Sequence, residues 1–279
     1  MTDAIALPAG SVDAHAHVFG PMDCYPAVPE RNYDPPPMPL ERHLRLRAHL
    51  GTARTVLVQP SVYGTDNRAM LDAMAEGGDS FRGVAVIDGG EPDADLAAMH
   101  AAGVRGVRIN LLFRGGVPLT AARRIAERVA PLGWHMQFLV DVSATEGFAA
   151  VVERLPVESV VDHMGHVPAA KGPEDPGFRA LAGLLREGRC WVKLSGSYRM
   201  SRRTAAPFGD VRAYVDALLD ANPDRLVWGS DWPHVGLPFP APTPDQLRAE
   251  LLDWLPDAGL RQRILADNPE RLYDWRHAP

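Results

Sequence analysis

The sequence predicts a single closed (β/α)₈ barrel, a TIM barrel, over residues 1–279. Eight short apolar segments alternate with eight segments of helical periodicity, a pattern typical of parallel strand–helix–strand units. Eight such units in 279 residues favour a closed barrel over an open sheet. No glycine-rich phosphate loop follows the first strand, which argues against an open dinucleotide-binding sheet.

Each element is predicted from its local pattern. The first strand is a buried run that contains His15 and His17. The later strands are expected at residues 55–61, 81–87, 104–110, 134–140, 157–162, 190–194 and 225–229. Helices are expected at residues 40–50, 65–76, 93–102, 119–129, 143–155, 177–187, 210–220 and 244–255. Gly51 should cap the first helix, and Ser143 with Glu146 should form a capping box at the fifth.

The segment after the first strand, residues 19–39, contains seven prolines and has no periodicity. A segment of this length without regular structure often covers a functional site. We therefore expect a proline-rich active-site loop here, and Tyr33 is its candidate substrate-binding residue.

Composition excludes several classes of function. The net charge is −6 with no basic cluster, so a nucleic-acid partner is not expected. No apolar run approaches the ~20 residues that would span a membrane, and no signal peptide is recognisable. Cys24 and Cys190 lie far apart, which predicts no disulfide framework and favours a cytoplasmic location. The oligomeric state stays open.

Candidate catalytic residues lie at the ends of three predicted strands. His15 and His17 alternate on one strand and so share a face, while His163 and Asp231 follow the sixth and eighth strands. Active sites of such barrels lie at the C-terminal strand ends. The four residues could bind one divalent ion such as zinc or manganese. Equally, the histidines could polarise a carbonyl while Asp231 deprotonates water.

No lysine or glutamate that would bridge a second metal is recognisable at a mid-barrel strand end, so a two-metal site is not predicted. His135 opens the fifth strand and should therefore lie at the opposite end of the barrel. His166 and His234 lie in loops beside the site, where each could line it or face solvent, and the role of Tyr198 stays open.

Three arginines surround the same predicted mouth. Arg108 ends the fourth strand, Arg114 lies in the following loop, and Arg199 follows the seventh strand. Arginine pairs bidentately with carboxylates. The set predicts a small anionic substrate with more than one carboxylate, although each arginine alone could form a salt bridge between loops. Ser61, after the second strand, is a further candidate contact.

Several segments match a known family. They are residues 13–21 (DAHAHVFGP), 29–33 (PERNY), 58–61 (VQPS), 64–67 (GTDN), 105–110 (RGVRIN), 162–165 (DHMG), 192–196 (VKLSG), 228–234 (WGSDWPH) and 268–273 (NPERLY). The chain resembles the amidohydrolase superfamily over nearly its whole length. The FGP and ERNY pieces point to its 2-pyrone-4,6-dicarboxylate lactonase branch.

The resemblance implies a hydrolase that opens a carboxylated lactone. It implies that the histidines polarise the ester carbonyl, that Asp231 activates water, and that no divalent metal is required. It also assigns the substrate carboxylates to Arg108, Arg114, Arg199, Tyr33 and Ser61.

Two departures leave the identity of the lactone open. Gln137-Phe138-Leu139 replaces a tyrosine of the branch, and His166 replaces an arginine. The alternatives on the same barrel are a metal-dependent decarboxylase and a lactone isomerase, and a non-catalytic binding protein is the least favoured. The decarboxylase is disfavoured because Leu139 stands where such relatives usually have a histidine ligand.

Overall fold

A computed structural model describes residues 5–114 and 116–275. Its eight parallel strands lie in one sheet in chain order from β1 to β8. The strands are β1 (Val12–Ala16), β2 (Arg54–Val58), β3 (Phe81–Ala85), β4 (Val104–Asn110), β5 (His135–Leu139), β6 (Ser159–Val161), β7 (Cys190–Leu194) and β8 (Leu226–Trp228).

Backbone hydrogen bonds just beyond β8 join the last strand to the first. The amide of Asp231 donates to the carbonyl of His15 at 2.8 Å, and the amide of His17 donates to the carbonyl of Trp232 at 2.8 Å. The sheet thereby curls into a nearly closed barrel, which confirms the predicted fold. The single-domain assignment of residues 1–279 stays a prediction.

Helices follow the strands around the outside of the sheet. They are α1 (Leu40–Leu50), α2 (Arg68–Gly77), α3 (Asp93–Ala101), α4 (Ala122–Val129), α5 (Phe148–Val152), α6 (Pro176–Arg186), α7 (Ser197–Met200), α8 (Arg212–Ala221), α9 (Pro244–Trp254), α10 (Ala258–Gln262) and α11 (Asn268–Leu272). No described helix combines the length and hydrophobicity needed to cross a lipid bilayer.

The predicted helix ends are right in one case and wrong in another. Gly51 caps α1 in the left-handed conformation, with φ of 82°, as expected. The capping box at residue 143 does not form, because the hydroxyl of Ser143 donates to Asp141 and α5 begins only at Phe148. Asp141 accepts the hydrogen bond of the serine hydroxyl, which is then not available to cap a helix. The segment before Phe148 is therefore irregular.

The barrel interior changes from apolar to polar along the strands. Residues two apart on a strand share a face. Lys193 therefore shares the interior face with Trp191, and Asp162 shares it with Val160, each nearer the C-terminal end of the barrel. Trp191 and Val160 belong to an apolar cluster that also includes Tyr273, whereas Lys193 and Asp162 are buried among polar groups. Apolar side chains thus fill the N-terminal end of the barrel, and the polar side chains of the interior lie in its C-terminal half.

The proline-rich loop contacts the C-terminal end of the barrel. Phe19 and Met38 form an antiparallel bridge at its base, and the amide of Val28 donates to the carbonyl of Val62 at 2.8 Å. The Tyr33 ring packs edge-on against Phe19, with centroids 6.3 Å apart. The loop therefore brings Tyr33 to the barrel mouth, as the sequence predicts.

Candidate active site

Three histidines and one aspartate meet at the C-terminal end of the barrel. The Nε2 atoms of His15, His17 and His163 each lie 3.7 Å from Oδ1 of Asp231. All four side chains are buried. Asp231 Oδ1 accepts no hydrogen bond from the described residues. The structure thus brings together the four residues that the sequence selected as catalytic.

Backbone geometry aims two of these side chains inward. His163 follows β6 with φ of 51°, and Asp231 follows β8 with φ of 57°. Non-glycine residues in this region cost ~1–3 kcal/mol each, and such strain is typical of functional sites. The hydrogen bond from the Asp231 amide to His15 helps to hold the conformation.

The other carboxylate oxygen of Asp231 is occupied. Oδ2 accepts hydrogen bonds from the Tyr198 hydroxyl at 2.6 Å and from Arg199 Nε at 2.5 Å. Burial alone would raise the pKa of Asp231, but Arg199 and the neighbouring histidines hold it well below its usual value. Asp231 is therefore ionised at neutral pH, with Oδ1 available to accept a proton.

The histidines are neutral at pH 7. Burial, reinforced by Lys193, lowers the pKa of His15 to about 3. Burial also lowers the pKa of His17 and holds that of His163 well below 6.5. His17 Nδ1 lies 2.7 Å from the carbonyl oxygen of Val58, which can only accept, so Nδ1 carries the proton. Nε2 of His17 therefore presents a lone pair to the cluster.

A layer of polar side chains lies beneath the cluster. Asp162 Oδ2 accepts hydrogen bonds from Arg108 Nε at 3.2 Å and Gln137 Nε2 at 3.0 Å. The ammonium of Lys193 donates to Gln137 Oε1 at 2.8 Å and lies 3.3 Å from His15 Nδ1. Sequence reasoning missed Lys193, Gln137 and Asp162. For Lys193 and Asp162 the available signal was a polar residue two positions after an apolar one, whereas Gln137 follows His135 at that spacing and gives no such signal.

A small cavity of about 20 Å³ lies above these groups. It is lined by His17, Tyr33, Pro60, Ser61, Arg108, Asn110, Phe113, Leu139, His163, Arg199, Asp231 and Val235. His15 has no exposed surface and lies beneath the lining. In this closed form the cavity has room for about one water molecule, among several polar side chains.

The three arginines occupy different environments. Arg108 pairs with Asp162, and Arg199 pairs with Asp231. Both line the cavity, but neither lacks a partner within the protein. Arg114 is exposed, does not line the cavity, and its amide donates to Asn32 Oδ1 at 2.7 Å. Arg108 and Arg199 thus each form an internal salt bridge, the alternative that the sequence left open for a single arginine.

The remaining candidates divide between the site and its surroundings. The Tyr198 hydroxyl lies 2.8 Å from Nδ1 of His234. Because Tyr198 donates to ionised Asp231, it accepts from His234, and a hydrogen-bonded chain reaches Asp231. His166 packs 6.3 Å from His163, centroid to centroid. His135 packs against Tyr273 at the closed end, as predicted.

Comparison with known protein families places this chain in one of them. A family model described as amidohydrolase matches residues 12–275. The chain belongs to the amidohydrolase family.

Two curated relatives are similar in sequence to this chain over most of its length. A 2-pyrone-4,6-dicarboxylate hydrolase from Comamonas testosteroni is 40% identical and aligns over 96% of this chain and 91% of its own. A D-galactarolactone isomerase from Agrobacterium fabrum is 34% identical and aligns over 96% of this chain and 92% of its own. A crystal structure from Pseudomonas putida superposes with a TM-score of 0.84 at 33% identity, covering 98% of this chain and 100% of that one.

The cluster also has the spacing of a metal site. Two ligand atoms of a tetrahedral zinc, each about 2.0–2.1 Å from the ion, lie roughly 3.3 Å apart. The His15 and His17 Nε2 atoms are 3.3 Å apart, and suitable atoms of His15, His163 and Asp231 lie within 4.8 Å of one another. His15, His17, His163 and Asp231 could therefore hold one divalent ion. Leu139 ends β5 in the cavity wall, so that position supplies no ligand.

Proposed function

We propose that this protein hydrolyses a small lactone that carries carboxylates, of the 2-pyrone-4,6-dicarboxylate type. The observation that carries the proposal is the buried cluster in which three neutral imidazoles face the unpaired oxygen of ionised Asp231. The 40% identity to a hydrolase named for that lactone supports the substrate class.

In the proposed reaction, the lactone carbonyl lies against the histidine cluster, with His163 in the cavity wall. An N–H of His163 stabilises the oxyanion that develops on the carbonyl oxygen, because Nε2 of His17 carries a lone pair. Asp231 Oδ1 takes a proton from the attacking water, whose oxygen bonds to the acyl carbon. The ring C–O bond then breaks, the leaving oxygen recovers the proton from Asp231, and the new carboxylic acid releases one proton to solvent.

The substrate carboxylates are assigned to the cavity rim. Arg108 and Arg199 line the cavity beside Tyr33 and Ser61, and charge-assisted hydrogen bonds to carboxylates are the strong ones. Arg114, from the exposed loop after β4, would join them only when the ligand reaches that loop. Each internal carboxylate partner keeps its arginine oriented before the substrate arrives.

We further propose that turnover requires no metal. Lys193, Arg108 and Arg199 already surround the cluster with positive charge, which offsets the negative charge that develops in the transition state. A divalent ion bound by His15, His17, His163 and Asp231 would instead supply Lewis-acid polarisation and a more acidic water. A location in the cytoplasm fits the free cysteines, Cys24 and Cys190.

Lactone isomerisation is the second candidate, because one relative is named for that activity. An isomerase would use the same carbonyl polarisation but would direct a substrate hydroxyl instead of water to the acyl carbon. The two reactions differ in product, since isomerisation retains a lactone ring. Product identification therefore separates them directly.

The first test is a substrate panel on wild type and Arg108→Met. We expect 2-pyrone-4,6-dicarboxylate to be opened with a higher kcat/KM than muconolactones or neutral aldonolactones. Loss of one charge-assisted contact, ~1.5–3 kcal/mol, should lower the ratio of kcat/KM for the dicarboxylate to that for a neutral lactone roughly 10- to 100-fold, whereas loss of the pair with Asp162 affects both substrates. Arg45→Met, at an exposed arginine paired with Glu41, is the matched control.

Preference for neutral lactones in both proteins would overturn the substrate class. A product that still contains the ring would overturn hydrolysis in favour of isomerisation.

A further inference from the structure

Lys193 is buried without solvent contact among oxygen and nitrogen acceptors. Its ammonium donates to the carbonyl oxygen of Ala14 at 2.9 Å and to Gln137 Oε1 at 2.8 Å. It also lies 3.3 Å from His15 Nδ1 and 3.5 Å from Asp162 Oδ1. An ammonium has three protons, so after the first two bonds one remains for either His15 or Asp162.

The geometry assigns the third proton to His15. The contact between Lys193 and His15 Nδ1 is a hydrogen bond, whereas Asp162 Oδ1 has no hydrogen-bond partner among the described residues. Asp162 Oδ1, 3.3 Å from His15 Nδ1, would accept a proton from Nδ1, but the Lys193 donor and the neighbouring His17 both favour the other tautomer. Nδ1 of His15 is thus an acceptor, and a neutral imidazole that accepts at Nδ1 carries its proton on Nε2.

The neighbouring histidine requires the same assignment. His17 donates from Nδ1 to Val58 and therefore has a lone pair on Nε2. That atom lies 3.3 Å from Nε2 of His15, and two lone pairs would repel at this distance. A proton on His15 Nε2 makes the contact a hydrogen bond. A continuous chain then runs from Lys193 through His15 and His17 to the Val58 carbonyl.

We propose that Lys193 is a positioning residue that keeps the His15 proton on Nε2 and so opposes divalent metal binding in the cluster. The inference rests on the proposed function in that hydrolysis without a metal requires the cluster to stay free of a divalent ion. Lys193 acts through His15 and does not itself reach the cavity.

Metal binding would require the opposite tautomer. A metal held by His15 Nε2 needs a lone pair there, which moves the ring proton to Nδ1. That proton would face the Lys193 ammonium at 3.3 Å, and the existing hydrogen bond would be lost. The buried positive charge of Lys193 would also repel the incoming cation, in surroundings where charges are weakly screened.

The test compares zinc affinity in two lysine variants. The chain contains only two lysines, and Lys171 is exposed and contacts Ser143. Metal-free wild type, Lys193→Met and Lys171→Met are titrated with zinc against a chromogenic chelator. Changes beside metal ligands alter affinity by roughly 10- to 100-fold, so Lys193→Met should bind zinc tighter by that factor and Lys171→Met should match wild type. Equal zinc affinity in all three proteins would overturn the proposal.

A second measurement needs no variant of Lys193. Nitrogen NMR of wild type labelled at histidine should show His15 with a proton on Nε2 and none on Nδ1. The His15 signals are identified by their loss in His15→Gln. A protonated Nδ1 in the metal-free wild type would contradict the proposal even if Lys193→Met fails to fold.

Neither readout uses a lactone. The proposed tautomer can therefore fail while lactone hydrolysis stands, and the reverse outcome is equally distinguishable.

Discussion

At the scale of single residues, Asp231 divides its carboxylate between two tasks. Oδ2 is held by Tyr198 and Arg199, while Oδ1 faces the three histidines and accepts no hydrogen bond from residues 5–114 or 116–275. The first oxygen fixes the orientation and keeps the group ionised. The second is left to accept a proton.

Asp231→Asn should therefore remove proton transfer but keep the shape of the site. General-base catalysis contributes typically 10²–10⁴-fold, so we expect kcat to fall by that factor with KM nearly unchanged. Initial rates and calorimetric substrate binding measure the two effects separately. Asp34→Asn, at an exposed aspartate paired with Arg31, is the control, and a near-normal kcat in Asp231→Asn would show that another group is the base.

The sequence located these residues because they directly follow apolar strand runs. His15, His17, His163 and Asp231 are separated by up to 216 positions in the chain, yet barrel closure places all strand ends at one mouth. Lys193 was missed because it lies inside an apolar run, where a polar side chain gives no sign of its partners. Nor does the sequence show that Arg108 and Arg199 have internal carboxylate partners.

At the scale of elements, the contact between β1 and the residues after β8 positions the cluster. Asp13 on β1 accepts hydrogen bonds from the amide and the hydroxyl of Ser230, at 2.8 and 2.6 Å. Beside this contact, Gly229 lies against His15 with no room for a side chain. A Cβ there would be 2.5 Å from the Cβ and 2.7 Å from the backbone nitrogen of His15.

Gly229→Ala should separate the first strand from the last and displace His15 within the cluster. A misplacement of ~1 Å can cost 10²-fold in rate, so we expect kcat/KM to fall by about that factor. Gly183→Ala in α6 is the matched control, because a Cβ there meets no atom within 4 Å. Steady-state kinetics together with thermal unfolding distinguish displacement from unfolding, and full activity in Gly229→Ala would contradict this account of the closure.

Elements were predictable where a local rule acts alone. Gly51 ends α1 because its left-handed conformation needs no tertiary support. The start of α5 was not predictable, because Ser143 bonds to Asp141 instead of to a helix. Strands β6 and β8 are shorter than their apolar runs at both ends, and β8 begins only after a 3₁₀ turn that includes Arg225.

At the scale of the whole molecule, the barrel separates an apolar closed end from a charged open end. Lys193, Arg108 and Arg199 are buried beside Asp162 and Asp231, and isolated charges would be too costly there. The paired charges form a fixed electrostatic environment below the small cavity at the mouth. Eightfold alternation of strands and helices predicts the barrel, but the balance of charge inside it depends on contacts between distant strands.

The central claim is lactone hydrolysis by this cluster without a metal. The most direct measurement follows 2-pyrone-4,6-dicarboxylate in ¹⁸O-labelled water, using enzyme stripped of metal and checked by elemental analysis. We predict one ¹⁸O atom in the new carboxylate of each product molecule and a kcat/KM equal to that of untreated enzyme. Activity that disappears on stripping and returns with one equivalent of zinc, or a product without ¹⁸O, would contradict the account.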